Sequence, residues 1–253
     1  MKKLFAMLLA VLMVAALVAC GNTTAPSTTP AATEGTEATT DTTAATTGDE
    51  TAAVMTYAEY MAAEMEAAVT VECYVQAHQS WWDNKITVYA QDKDGAYFIY
   101  ELACSEEDAA KLTEGTKIRV SGYKGQWAGE IEIMDGTFEF VEGADTFVAE
   151  ALDVTELLGT EDLIKHQNEK VAFKGLTIEK IEYKNGEPGD DIYVTVKKGD
   201  ATYDFCVEMY LTGPDTDVYK AFADLAAGDT VNIEGFLYWY EGVNTHITAV
   251  EKA

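Results

Sequence analysis

The chain has 253 residues, 44 of them acidic and 17 basic, for a formal charge of −27. So acidic a surface repels phosphate backbones and anionic headgroups, which argues against nucleic acid as a partner and against a protein lying flat on a membrane. Four cysteines are too few for a disulfide scaffold.

Residues 1–19 read as a secretory signal, with Lys2 and Lys3 as its positive end and an apolar run from Leu4 to Leu17. That run is too short for a permanent spanning helix. Leu17-Val18-Ala19-Cys20 resembles the lipobox of bacterial lipoproteins. The resemblance implies lipidation of the Cys20 sulfur, cleavage before it and a lipid-anchored protein on the extracytoplasmic face of the bacterial cell membrane. Residues 20–54 form a linker dominated by Thr and Ala, acidic and without periodicity, which cannot bury enough surface to order itself.

The remainder carries an internal repeat. Leu112-Thr-Glu-Gly115 through Ile118, Val120, Gly122 and Tyr123 lies over Leu225-Ala-Ala-Gly228 through Val231, Ile233, Gly235 and Phe236, at a constant offset of 113 residues. In the first copy, helical spacing over 56–68 precedes a strand in which Val69, Val71, Cys73 and Val75 alternate with polar residues. Strands follow over 86–91 and 96–102, joined by the Asp92-Lys93-Asp94-Gly95 turn, with Gly95 suited to positive φ. Ser105 caps a short helix that stops at Gly115. Strands over 117–124 and 130–134 complete the copy. A second helix is expected over 153–167. The second copy repeats the order with strands over 171–181, 192–197, 202–211, 230–238 and 244–251 and a helix over 215–226.

The order β-β-β-α-β-β is that of the OB-fold. The expected fold is therefore mainly β: two tandem five-stranded OB-fold-like barrels, domain 1 over 55–143 and domain 2 over 168–253, joined by a helical segment over 144–167. The runs Val75 to Trp82, Gln91 to Phe98, Gly115 to Ile118 and Gly122 to Lys124 resemble a family of Gram-positive gut-bacterial lipoproteins with OB-fold domains. The resemblance implies architecture and location and no chemistry.

No catalytic or metal motif stands out. His78, His166 and His246 lie outside any zinc spacing and read as surface or loop residues. No serine sits in a nucleophile elbow. Asp92-x-Asp94-Gly95 lacks the further acids of a calcium loop. Cys73, Cys104 and Cys206 read as free buried thiols. No enzyme activity and no cofactor are expected.

The informative side chains are aromatic. Trp81 and Trp82 are adjacent, so an extended chain sends them to opposite sides. Tyr89 and Tyr97 are out of phase with the expected core positions Val88 and Phe98. With Trp127, Tyr238, Trp239 and Tyr240 they form the candidate ligand-binding set. The leading expectation is a non-enzymatic binding or display module for a glycan, a peptide segment or an envelope protein. The alternative is single-stranded nucleic-acid binding, which needs a basic patch from Lys85, Lys93, Lys117, Arg119 and Lys124. A cell-envelope hydrolase is the third reading.

Overall fold

The computed structural model describes residues 53–253. The signal, Cys20 and nearly all of the 20–54 linker lie outside the described residues. No described helix is long and apolar enough to cross a membrane.

The first domain opens with α1 (Tyr57–Ala62), capped reciprocally by Thr56 and Glu59. Five strands follow: β1 (Ala68–His78), β2 (Lys85–Gln91), β3 (Ala96–Ala103), β4 (Lys117–Trp127) and β5 (Glu130–Phe140). They close into an OB-like barrel in the order β1-β2-β3-β5-β4. A short α2 (Glu106–Ala109), capped by the Ser105 hydroxyl, joins β3 to β4. Val69, Val71, Cys73 and Val75 fill the barrel with Ile86, Val88, Ile99, Ile118 and Val120.

The second domain is a six-stranded sheet, not the expected five strands. Its members are β6 (Leu152–Asp153), β7 (Lys170–Tyr183), β8 (Ile192–Lys198), β9 (Ala201–Val207), β10 (Thr230–Phe236) and β11 (His246–Lys252). The order is β10-β11-β9-β8-β7-β6, and β7 also pairs with β10. The extra strand comes from the connecting segment, where Leu152 and Asp153 pair in parallel with Val171 and Ala172. Its core gathers Phe173, Val194, Phe205, Val231 and Ile233, with Phe222 beside α3 (Asp217–Ala221).

Three helical expectations shrink. α1 has six residues because Ala63 turns extended. The expected 153–167 helix is two short 3-10 turns, Thr155–Leu157 and Leu163–His166. Asp153 folds back on the Thr155 N–H and hydroxyl, and Gly159 takes a φ of +90°, which interrupts any helix. The 215–226 helix is α3 followed by one 3-10 turn.

The repeated glycines have matching tasks. Gly115 and Gly228 are both left-handed, with φ of +84° and +94°. Gly122 and Gly235 sit at register shifts where a Cβ would lie 2.7 Å from the Met134 carbonyl and 2.2 Å from that of His246. Gly95 does not have positive φ. It is required because the Tyr57 ring occupies the space of a side chain, 2.3 Å from a Cβ.

Candidate functional site

The turn between β1 and β2 ends in a two-residue hairpin. Asp83 and Asn84 take left-handed φ of +47° and +60°, and Trp82 and Lys85 exchange backbone hydrogen bonds of 3.0 and 2.9 Å. The hairpin separates the two tryptophans. Trp81 turns inward against the barrel core, its Nε1 donating to the Cys104 carbonyl at 2.9 Å. Trp82 is 79% exposed.

Trp82 borders a groove of about 640 Å3 lined also by Gln79, Ser80, Thr87, Tyr100 and Tyr210. Tyr100 and Tyr210 are 44% and 56% exposed. Tyr100 precedes Glu101, a non-glycine residue with φ of +47° whose N–H donates to the Thr87 hydroxyl at 3.2 Å. The irregularity accompanies a register shift in β2–β3 and leaves both side chains exposed. Tyr210 comes from the second domain, where its carbonyl accepts from the Ser80 N–H at 2.7 Å. The groove therefore needs both domains. Neither Tyr100 nor Tyr210 stood out in the sequence. The signal for Tyr100 was hidden by the bulge, and Tyr210 fell in an expected strand that in fact ends at Val207.

The other candidate rings do not join this groove. Tyr89 faces out of the first barrel but is buried against Phe98 and Phe236, centroids 5.3 and 4.6 Å away. Tyr97 points into the core beside Tyr57 and Tyr60, so the expected phase of Tyr97 and Phe98 is reversed. Tyr238 stacks on His246 at 4.2 Å in the same seam. Trp239 packs on the second core and over Gly129. Trp127, 63% exposed, and Tyr240, also exposed, sit on two hairpins joined by the Glu241 N–H donating to the Ala128 carbonyl at 2.7 Å.

The expected basic patch is absent. Lys85 pairs with Glu101 at 2.6 Å and Lys93 pairs with Asp94. Lys117 and Arg119 both hold Glu72, at 2.8 and 2.7 Å, keeping its carboxyl below the usual range. Lys124 is buried, donating to the carbonyls of Tyr60, Met61 and Ala63 at 3.1, 2.7 and 2.9 Å, and desolvation lowers its pKa.

Nor do the histidines form a site. His78 faces the Gln79 carbonyl, and His166 pairs with Glu169. His246, expected on the surface, is buried at the seam, and desolvation pushes it down to about 3. Among the described residues no three His, Cys, Asp or Glu side chains gather to hold a metal. Cys73, Cys104 and Cys206 are free and buried.

No protein-family model and no curated protein matches the chain. Solved structures do. The p204 HINb domain is 11% identical over 76% of this chain and 100% of its own, with a TM-score of 0.35. The Ifi202 HINa domain in complex with 20-bp duplex DNA is 15% identical over 74% of this chain and 100% of its own, at 0.34. A murine DNA-binding protein bound to duplex DNA is 13% identical over 73% and 99%, at 0.34.

Two expectations are corrected here. The glycan- or peptide-display module loses its continuous aromatic face, because Tyr89, Tyr97 and Tyr238 are spent on core and seam and Trp82 shares no groove with the exposed Trp127 and Tyr240. The exclusion of nucleic acid is withdrawn, since net charge does not describe the groove, whose walls carry the exposed rings of Trp82, Tyr100 and Tyr210. At these scores the likeness assigns no ligand to this chain, and any nucleic-acid reading must rest on the groove itself.

Proposed function

We propose that the protein binds single-stranded nucleic acid, with bases stacked on Trp82, Tyr100 and Tyr210. The observation that carries this reading is the placement of three exposed rings around one groove beside β2 and β3, a common ligand face of OB-folds. Base-on-ring stacking contributes ~1–3 kcal/mol per base and tolerates any base. A duplex keeps its base faces covered, so a single strand is the form that fits. The paired state of Lys85 makes stacking, rather than phosphate neutralisation, the source of affinity.

The second sheet is read as a second OB-type unit. The matched glycines support this, as does the pairing of β7 with both β8 and β10, which parallels that of β1 with β2 and β4. We place the protein on the extracytoplasmic face of a bacterial membrane, tethered through Cys20 by the 20–54 linker. The lipobox and the resemblance to Gram-positive gut-bacterial lipoproteins support that placement.

The test is tryptophan-fluorescence titration of residues 53–253 with single-stranded and duplex oligonucleotides. Saturable quenching by single strands, weakened about 5-fold or more by Trp82→Ala, is expected. No binding by the wild type, or equal binding by Trp82→Ala, would overturn the reading.

A further inference from the structure

We propose that the seam between the two domains is closed by a protonated Glu130 buried in it, and that losing this proton releases the second domain from the first. Glu130 begins β5 and is completely buried. One carboxyl oxygen, Oε2, accepts from the Trp239 N–H at 2.8 Å and from Gln167 Nε2 at 3.2 Å. The other, Oε1, has no donor, and neither does the buried Oδ1 of Asn168. The Asn168 amide adjoins this carboxyl, and its Nδ2 donates to the Ile131 carbonyl at 3.1 Å.

A fully buried carboxylate oxygen without a donor is unfavourable. A neutral carboxylic acid carries one O–H donor. Placed on Oε1, it removes the buried charge and leaves Oε2 free for Trp239 and Gln167.

The surroundings supply no countercharge. Glu132 faces Glu130 from β5, Tyr57 and Tyr60 from α1, and Tyr238 from the β10–β11 connection. Among the described residues no lysine, arginine or histidine bonds it; its donors are Gln167 and Trp239. Burial pushes the Glu130 carboxyl up to about 8, opposed by the Trp239 N–H and Asn168 and helped by Glu132.

The node is also where the domains are tied. Gln167 Nε2 donates to the Gly129 carbonyl at 2.9 Å, and the Asn168 N–H donates to that of Leu237 at 2.9 Å. Trp239 covers Gly129. A carboxylate formed there reaches water only if these contacts part. Because the folded pKa of this acid is raised, its support for docking is complete below its ordinary value of 4.5. That support declines as pH rises and is gone above about 8. Opening would also remove Tyr210 from the groove, although the latch does not depend on what the groove binds.

The experiment is carboxyl-carbon NMR of glutamate-labelled protein from pH 4 to 10, with amide exchange at Trp239 and Glu241 corrected for intrinsic base catalysis. Glu130, assigned by its loss in Glu130→Gln, is expected to titrate near 8. Exchange at both amides should rise more than about 10-fold from pH 6 to 9.5 in the wild type. It should stay flat in Glu130→Gln, whose amide keeps the shape of the acid and stays uncharged over the whole range. A Glu130 midpoint below about 5.5, an undocked Glu130→Gln at pH 6, or a variant that follows the wild-type profile overturns the proposal.

Discussion

The Tyr89 hydroxyl lies 2.6 Å from His246 Nδ1, across the seam between the domains. It also accepts from Gln79 Nε2 at 3.3 Å, and burial keeps the imidazole neutral. One phenol thus connects the groove to the interior of the seam. Tyr89→Phe leaves a buried imidazole nitrogen without its hydrogen-bond partner, at a cost of about 1–3 kcal/mol. Chemical denaturation should show that loss, whereas Tyr100→Phe, altered at an exposed ring, should change stability little.

The buried Glu130 and His246 and the half-buried Glu208 shape the pH dependence of stability. Glu130 and Glu208 are pushed up from 4.5 to about 8 and about 7 by burial, so their contributions are lost as pH rises. His246 is pushed down from 6.5 to about 3, so its contribution is complete above 6.5 and lost as pH falls. Within each window a single group changes stability by about 1.4 kcal/mol per pH unit. Between 4.5 and 6.5 the histidine offsets one of the two acids, and above 6.5 nothing offsets either. Melting temperature should peak on the acid side of neutrality and fall between pH 6.5 and 8. A peak above pH 8 contradicts the assignment.

The two tryptophans should separate cleanly. Trp81→Ala removes a ring packed on the core and leaves the Cys104 carbonyl without its donor. A cost of about 3 kcal/mol is expected, as for other large core truncations. Trp82→Ala should change stability by less than about 0.5 kcal/mol, since its ring is exposed. Thermal melts of the pair decide this, and equal losses would mean that Trp82 also packs.

Lys124 is the internal C-cap of α1. Lys124→Met keeps the stem and removes three hydrogen bonds to carbonyls at the helix end. Destabilisation of about 2–4 kcal/mol is expected, from unsatisfied buried acceptors. Hydrogen exchange should accelerate first at Tyr60 and Ala63, whose N–H groups hold the short helix.

Glycine tolerance should follow space rather than position in a loop. Gly235→Ala drives a methyl into the His246 carbonyl and should prevent normal pairing of β10 with β11. Gly143→Ala, left-handed but open, should cost only about 1 kcal/mol. Comparing urea midpoints of the two variants checks the order.

Much of the strand pattern was legible because alternation is local. Val69 to Val75, the Ser105 cap and the Asp92 turn all act within a few residues. The β3 phase was not legible. The register shift between Ile86 and Val88 and the left-handed Glu101 displace the alternation, so Tyr97 goes in and Phe98 out. The sixth strand and the burial of His246 arise from contacts far apart in sequence. Tyr89 and Tyr238 failed as site residues for the same reason: an outward ring on one barrel is exposed only if no second domain covers it. Trp82 was legible because its exposure is decided by the two residues that follow it.

Ala128 and Glu241 are counterparts under the 113-residue offset, both left-handed at +50° and +55°, and they hydrogen-bond to each other. Around that point the two copies present different faces, since Tyr89 packs on His246 whereas the counterpart of His246, Ile133, lies inside the first barrel. The counterpart of Glu130 is Val243, so the buried acid belongs to one copy alone. Separating the copies would bare Tyr89 and Phe98 on one half and Phe236 on the other, so each half would seek a partner rather than remain alone.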